Sequence, residues 1–278
     1  MNIKPLITLF LIYFPLLSYA DNTAKNNLKL YTLDCGTIDV ADMKDLSDNG
    51  KYDGEKIQLV NPCFLIHHPK GYLLWDTGHN DNLADNPDGE VSGVWHAKMS
   101  TKLTKQLELL GISATDINYL SLSHIHPDHS GNANAFATST FIVNELEHTY
   151  MFSEPANSYF GEYYQALKSA KTIFFNNDHD VFNDGSVVIK SMPGHTPDSS
   201  VLLIRLPNAG NVLLSGDLYI HEKERQIGSM LKYNVDKSLT VKSRKNFEDL
   251  VKKENANVII QHEKHDFDRL PKFPKFLD

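Results

Sequence analysis

The sequence predicts an α/β fold, on three observations. Short alternating or β-branched runs recur from Leu28 to Ile260 and read as strands. Several of these runs end in loops carrying histidine or aspartate: Asp76 after Gly71, His124 to His129 after Ile117–Ser123, His195 after Val187–Lys190, Asp217 after Asn211–Ser215, and His262 after Val258–Ile260. Apolar residues at helical spacing fall between them, in Thr101–Leu110 (Leu103, Leu107, Leu110, stopped by Gly111) and in Ser238–Lys252 (Phe247, Leu250, Val251). Strand ends that repeatedly deliver polar side chains are how a rigid scaffold presents a site.

In chain order, Met1–Ala20 reads as a cleavable signal peptide. It has an amino-terminal charge, Lys4, an apolar run Leu6–Leu17, and Ser18-Tyr19-Ala20 as the cleavage signal. The apolar run is short for a membrane span, so no stable membrane anchor is expected and the protein is placed in the periplasm or outside the cell. Cleavage would leave 258 of the 278 residues, with 26 basic against 35 acidic side chains and a net charge of −9. That length suits one large α/β domain over 21–278, and that charge opposes nucleic-acid binding.

Strands are expected at Leu28–Cys35 and Cys63–His67. If they pair, Cys35 and Cys63 are placed for a disulfide; two free, semi-buried thiols is the equal alternative. Thr37–Val60 between them reads as a long polar loop, and Leu83–Met99, with Trp95, as another. After the His-rich loop a helix is expected from Gly131, then a strand at Thr140–Asn144 and a helix from Glu145. The aromatic stretch Met151–Tyr164 suits core packing better than an acyl-chain pocket.

The chemistry concentrates in Ser123–Gly131, S-H-I-H-P-D-H-S-G. Imidazole nitrogen and carboxylate oxygen are good ligands for zinc and similar ions. His124 and His126, two apart on extended chain, can face one side, while Asp128 and His129 diverge, so one loop can serve two adjacent metal positions. His67, His68, His96, His148, His179 and His265 match no such pattern and read as structural, and His79 matches no ligand position.

These residues resemble the metallo-β-lactamase superfamily, whose signature is H-x-H-x-D-H after a strand. Further matches follow in order: Asp76-Thr77-Gly78, Pro193-Gly194-His195-Thr196-Pro197, Ser215-Gly216-Asp217 and Gln261-His262. The tail Phe267–Pro274, with Leu33-Asp34-Cys35-Gly36 and Gly216-Asp217-Leu218-Tyr219, is similar to the N-acyl homoserine lactonase-like branch. The resemblance implies an αββα sandwich, two packed mixed sheets flanked by helices. It implies that His124, His126 and His195 hold one metal ion, that Asp128, His129 and His262 hold a second, and that Asp217 bridges them. Asp76 would support a ligand histidine. The cofactors implied are two divalent ions, with zinc the default and iron, manganese or cobalt also suited to the ligands.

The activity implied is hydrolysis, the opening of an acyl homoserine lactone ring (quorum quenching) by a metal-bridging hydroxide, with Asp128 carrying the proton to the leaving alkoxide. A tyrosine soon after the bridging aspartate contacts the substrate carbonyl in this branch. Tyr219 is the candidate, although it lies two residues after Asp217 where some lactonases have three. A phosphotriesterase or another esterase is the enzymatic rival. A cysteine-ligated β-lactamase, a glutathione thioesterase, a flavin-coupled oxidoreductase and a non-catalytic metal-binding protein fit less well. The partner is a small-molecule substrate, and the oligomeric state, a homodimer included, is left open.

Overall fold

The computed structural model describes residues 27–278, so the expected signal peptide lies outside the described residues. One sheet comprises β1 (Lys29–Val40), β2 (Ile57–His68), β3 (Gly71–Trp75), β4 (Glu90–Ser92), β5 (Trp95–Lys98), β6 (Tyr119–Ser121), β7 (Thr140–Asn144) and β8 (Thr172–Phe175). Its order is β4-β5-β1-β2-β3-β6-β7-β8. The second sheet contains β9 (Asp178–Asp180), β10 (Val187–Ser191), β11 (Ser200–Leu206), β12 (Gly210–Leu214) and β13 (Asn257–Ile259), in the order β13-β12-β11-β10-β9. A last short strand, β14 (Phe276–Leu277), adds to β1.

Strand periodicity builds the layers. Side chains alternate across a strand, so in β2 Phe64 and Ile66 enter the core between the sheets while Cys63 and Leu65 face outward. In β11, Leu202 and Ile204 enter the same central core and Val201 and Leu203 face the other way. Because both faces are covered, these strands are apolar almost throughout. The outer face of the first sheet is covered by α1 (Leu103–Glu108) and by neighbouring segments through Leu103, Leu107 and Phe136. On the outer face of the second sheet lies α4 (Lys237–Glu254), which buries Phe247 and Leu250. Helix, sheet, sheet, helix is the expected αββα sandwich. No helix among the described residues is long and apolar enough to cross a membrane.

Several expected boundaries move. β1 and β2 run well beyond Cys35 and before Cys63, so the loop between them shrinks from Thr37–Val60 to 41–56. The cause is Gly36 (φ 118°), where the β1–β2 register shifts between Asp34 and Thr37 before pairing resumes. Here glycine marks a bulge and not a strand end. The segment 83–99, expected as loop, contains the β4–β5 hairpin, turned at Gly93 (φ 60°). The expected helix from Gly131 is split. α2 (Pro127–Ser130) ends early, and a 3-10 turn, Ala133–Phe136, follows non-helical Asn132.

Cys35 and Cys63 form a disulfide between neighbouring strands, which decides between the two readings of these cysteines. It lies under Gly78 (φ 64°), where a Cβ would stand only 2.9 Å from Cys63 Sγ and 3.0 Å from Cys35 Sγ. The Asp-Thr-Gly turn therefore rests on the bridge. The crosslink spans 28 residues, and closing a loop of that size stabilises a fold by about 3–4 kcal/mol. Replacing both cysteines by serine is expected to lower the unfolding free energy by about that amount, read by chemical denaturation of oxidised parent and variant.

Candidate metal centre

The site forms where the two sheets meet along one edge. His124, His126, Asp128 and His129 follow β6, while His195 follows β10, Asp217 follows β12 and His262 follows β13. The structure brings all seven together as two groups, His124, His126, His195 and Asp217, and Asp128, His129 and His262.

The distances within the first group are those of ligand atoms. His124 Nε2 is 2.9 Å from His126 Nδ1, and His195 Nε2 lies 3.2 Å and 3.0 Å from those two nitrogens. Two nitrogens on one tetrahedral zinc at about 2.05 Å stand about 3.3 Å apart. In the second group His129 Nε2 and His262 Nε2 are 3.2 Å apart, and Asp128 Oδ2 is 3.7 Å from each. Asp217 faces both groups. Its Oδ1 is 3.2 Å from His129 Nε2 and 3.0 Å from His262 Nε2, while its Oδ2 is 3.6 Å from His124 Nε2 and 3.4 Å from His195 Nε2.

Hydrogen bonds outside this ring set the imidazole orientations. Asp76 Oδ2 is 3.0 Å from His129 Nδ1, and its Oδ1 accepts from Ser123 N at 2.6 Å. Asp76 adopts a positive φ of 60°, an uncommon backbone state for a residue other than glycine, held here on both sides of the turn. His195 Nδ1 meets Asn234 Oδ1 at 2.9 Å, His262 Nδ1 meets the Val60 carbonyl at 2.8 Å, and Ser123 Oγ is 3.1 Å from His124 Nδ1. With the outer nitrogen so engaged, the inner nitrogen of each ring is left to a metal. Asp76 therefore has the supporting place expected of it. Asn234 and the Val60 carbonyl were not foreseen, because neither belongs to a motif and both meet their histidines across long chain separations.

The electrostatics differ between the two groups: burial works against the charged form of His129 and His262, but the carboxylates around them, Asp217 first, outweigh it and raise both, whereas the rings of the first group are lowered. Burial, and then His195, hold His126 down to about 3, and burial lowers His195 as well. These rings are therefore neutral near pH 7, the form that binds metal. Burial opposes ionisation of Asp217, but His129 and His262 outweigh it and hold its carboxyl well below the ordinary range. Nitrogen and carboxylate donors at these spacings fit two divalent ions sharing Asp217, and zinc suits the donor set.

The expected place of Tyr219 is corrected. It is buried, its ring packs on Phe247 at 5.8 Å between centroids, the Arg244 guanidinium stands 4.5 Å over it, and its hydroxyl donates to Glu248 at 3.2 Å. It thus faces the helix layer under the second sheet. The next residue, Ile220, faces the cleft instead.

That cleft is a cavity of about 840 Å³ containing His126, Asp128, His195, Asp217 and His262. Ile38, Leu46, Leu59, Ile220 and Leu231 give it an apolar wall, and His79, Asn80 and Asn82 lie on a polar one. The aromatic stretch divides its work. Tyr164 and Phe152 pack in the core, while Phe160 and Tyr163 line the cavity together with half-buried Trp95.

The fold and these two His/Asp groups define a metal-dependent hydrolase. The profile of the family described as "Metallo-beta-lactamase superfamily" matches residues 58–262, and the chain belongs to that superfamily. It is 28% identical over 267 residues to the N-acyl homoserine lactonase AttM of Azorhizobium caulinodans, covering 91% of this chain and 99% of that protein. An N-acyl homoserine lactonase from Bacillus sp is 28% identical over 231 residues, covering 81% of this chain and 89% of the other. The solved structure of an N-acyl homoserine lactone hydrolase with N-hexanoyl-L-homoserine bound at its catalytic metal centre matches this fold. Its TM-score is 0.77 at 24% identity, over 90% of this chain and 98% of that one. A dizinc quorum-quenching lactonase, AidC, matches with a TM-score of 0.66 at 19% identity, over 90% of each chain.

Behind the centre, Glu147 of α3 (Glu145–Met151) is buried, and its Oε2 accepts from Asp198 N at 3.0 Å while Oε1 has no partner among the described residues. Burial raises its carboxyl to about 7. A carboxyl raised in the folded state favours folding below the unfolded value of about 4.5, and that advantage is lost as pH rises toward 7. Glu147→Gln keeps an acceptor and cannot ionise. Denaturation curves are expected to show no gain for this variant near pH 4.5 and a gain of up to about 3 kcal/mol at pH 8.

Proposed function

We propose that this protein is an exported dizinc hydrolase that opens the lactone ring of N-acyl homoserine lactones, acting in the periplasm or outside the cell. The observation that carries the reading is the pair of His/Asp groups sharing Asp217 at the base of a cavity with one apolar and one polar wall. Relatives named N-acyl homoserine lactonases, aligned over nearly the whole chain, support this substrate class. The apolar wall of Ile38, Leu46, Leu59, Ile220 and Leu231 suits an acyl chain, and Asn82 can hydrogen-bond an amide.

His124, His126 and His195 would hold one ion and Asp128, His129 and His262 the other, with Asp217 between them. Ions bound there supply Lewis acidity and lower the pKa of water. The protein contributes position and proton transfer. Asp128 lies on the cavity surface with its side chain partly exposed, within reach of a substrate. It accepts the proton released as water adds to the lactone carbonyl, and returns it to the ring oxygen as the C–O bond breaks. The apolar wall orients the acyl group, so the carbonyl carbon lies over the centre. Tyr219 has no part in this scheme.

The reading is tested by following proton release as the zinc-loaded protein, from Asp21 onward, is given short- and long-chain acyl homoserine lactones. Ring opening is expected, with Asp217→Ala losing it by at least about a thousandfold and binding less than two equivalents of metal. Absence of ring opening by protein holding two equivalents of zinc would overturn the lactone assignment.

A further inference from the structure

The Asp-Thr-Gly turn carries one more side chain into the cleft, and the scheme above leaves it unused. His79 lines the same cavity as Asp128 and belongs to neither metal group. Its backbone is laced to the segment that bears Asp128. Gly131 N donates to Gly78 O at 2.8 Å, Asn132 Nδ2 donates to His79 O at 2.6 Å, and Asn80 Nδ2 donates to Gly131 O at 2.8 Å. The approach is so close that a Cβ on Gly131 would stand 2.6 Å from the His79 carbonyl carbon. From the other side Gly36 holds the ring, since a Cβ there would be 2.8 Å from His79 Cδ2. The backbone of His79 is thus tied to the segment after α2, and Gly36 bounds its ring from the other side.

Its Nε2 is sealed from solvent and has no hydrogen-bond partner among the described residues. A buried donor or acceptor left unpaired is unfavourable and calls for an explanation. Asp128 offers the complement. One of its oxygens, Oδ2, is turned toward His129 and His262. Among the described residues neither carboxyl oxygen makes a hydrogen bond within the protein.

We propose that His79 is a positioning residue for Asp128, donating a ring N–H to the carboxyl oxygen turned away from the second histidine group and aiming that carboxyl at the leaving oxygen. The inference rests on the reading of Asp128 as the group that carries the proton. An imidazole always has at least one N–H, and Thr77 N donating to His129 O at 2.7 Å adds to the bonds that hold the two segments side by side on one cavity. The bond from His79 restrains a carboxyl that would otherwise rotate about χ2, and orientation of this kind acts on the step in which the C–O bond breaks.

Zinc-loaded parent from Asp21 onward, His79→Leu and His79→Gln are compared on three substrates. These are N-hexanoyl homoserine lactone, an alkyl hexanoate ester, and p-nitrophenyl hexanoate, whose phenolate leaves without a proton. Leucine is expected to lower kcat for the lactone and the alkyl ester by about thirtyfold, with KM within about twofold and the aryl ester within about threefold. Glutamine, whose amide Nε2 takes the place of the ring N–H, is expected to restore most of the loss. Zinc content and Tm should match the parent in both variants. Equal losses on alkyl and aryl leaving groups, glutamine behaving like leucine, or loss of a zinc equivalent would overturn the proposal. The alkyl ester reports on His79 independently of whether lactones are opened, so failure of the lactone reading and failure of this one are separate results.

Discussion

Five imidazoles and two carboxylates converge at the edge of the sandwich, and the inner nitrogens meet one another at hydrogen-bonding distance. Neutral imidazole has one N–H. At His124, His129, His195 and His262 the outer nitrogen is already engaged, by Ser123, Asp76, Asn234 and the Val60 carbonyl. The inner faces therefore crowd nitrogen donors and two carboxylates together out of water, an arrangement that is costly unless positive charge sits among them. Much of the surrounding structure serves to hold that convergence in place.

The two sheets supply different ligands, so their separation sets the size of the centre. The central core of Phe64, Trp75, Leu202 and Leu214 fixes that separation. At the edge, Ser200 N donates to Ser123 O at 2.8 Å, joining the loop after β6 to the start of β11. Gln261 Nε2 donates both to Pro62 O at 3.1 Å and to Asp76 Oδ2 at 3.0 Å, joining the β13 end to β2 and to the Asp-Thr-Gly turn. Asp76 is thus bonded to Ser123, His129 and Gln261 together. A carboxylate with so many partners in a dry interior is held in one orientation, and it passes that orientation to His129.

The residues that were legible in the sequence are those packed into short local patterns. H-x-H-x-D-H, with its strand before it, announces four ligands at once, and the turns around His195, Asp217 and His262 each announce one. The central strands were legible because burial on both faces leaves an apolar run. What was not legible depends on contacts between distant segments or on glycine used against its usual meaning. Gly36 looked like a strand end and is a bulge. The β4–β5 hairpin is short and largely polar, so alternation says little about it. Asn234 supports His195 from 39 residues away, and no local spacing signals that. His79 followed a motif without belonging to it, and only the packing of Gly36 against its ring and its place in the cavity lining show where it lies.

Tyr219 illustrates the same limit more sharply, because a nearby tyrosine of the right kind faces the wrong way for a physical reason. The buried Arg244 donates to Leu218 O at 2.9 Å and to Ser229 O at 2.5 Å, and pairs with fully buried Glu224 at 2.5 Å. Glu224 in turn accepts from Ile220 N at 2.7 Å. A buried pair with this many hydrogen bonds is hard to displace, since removing either partner strands the other charge. It therefore dictates how the chain leaves Asp217. With Leu218 and Ile220 both anchored, Tyr219 must turn to Phe247 and Arg244 while Ile220 turns to the cavity. The lining beside the shared carboxylate is thereby apolar, and the polar side chains of the cavity come from other segments, among them His79, Ser92, Tyr163 and Tyr233.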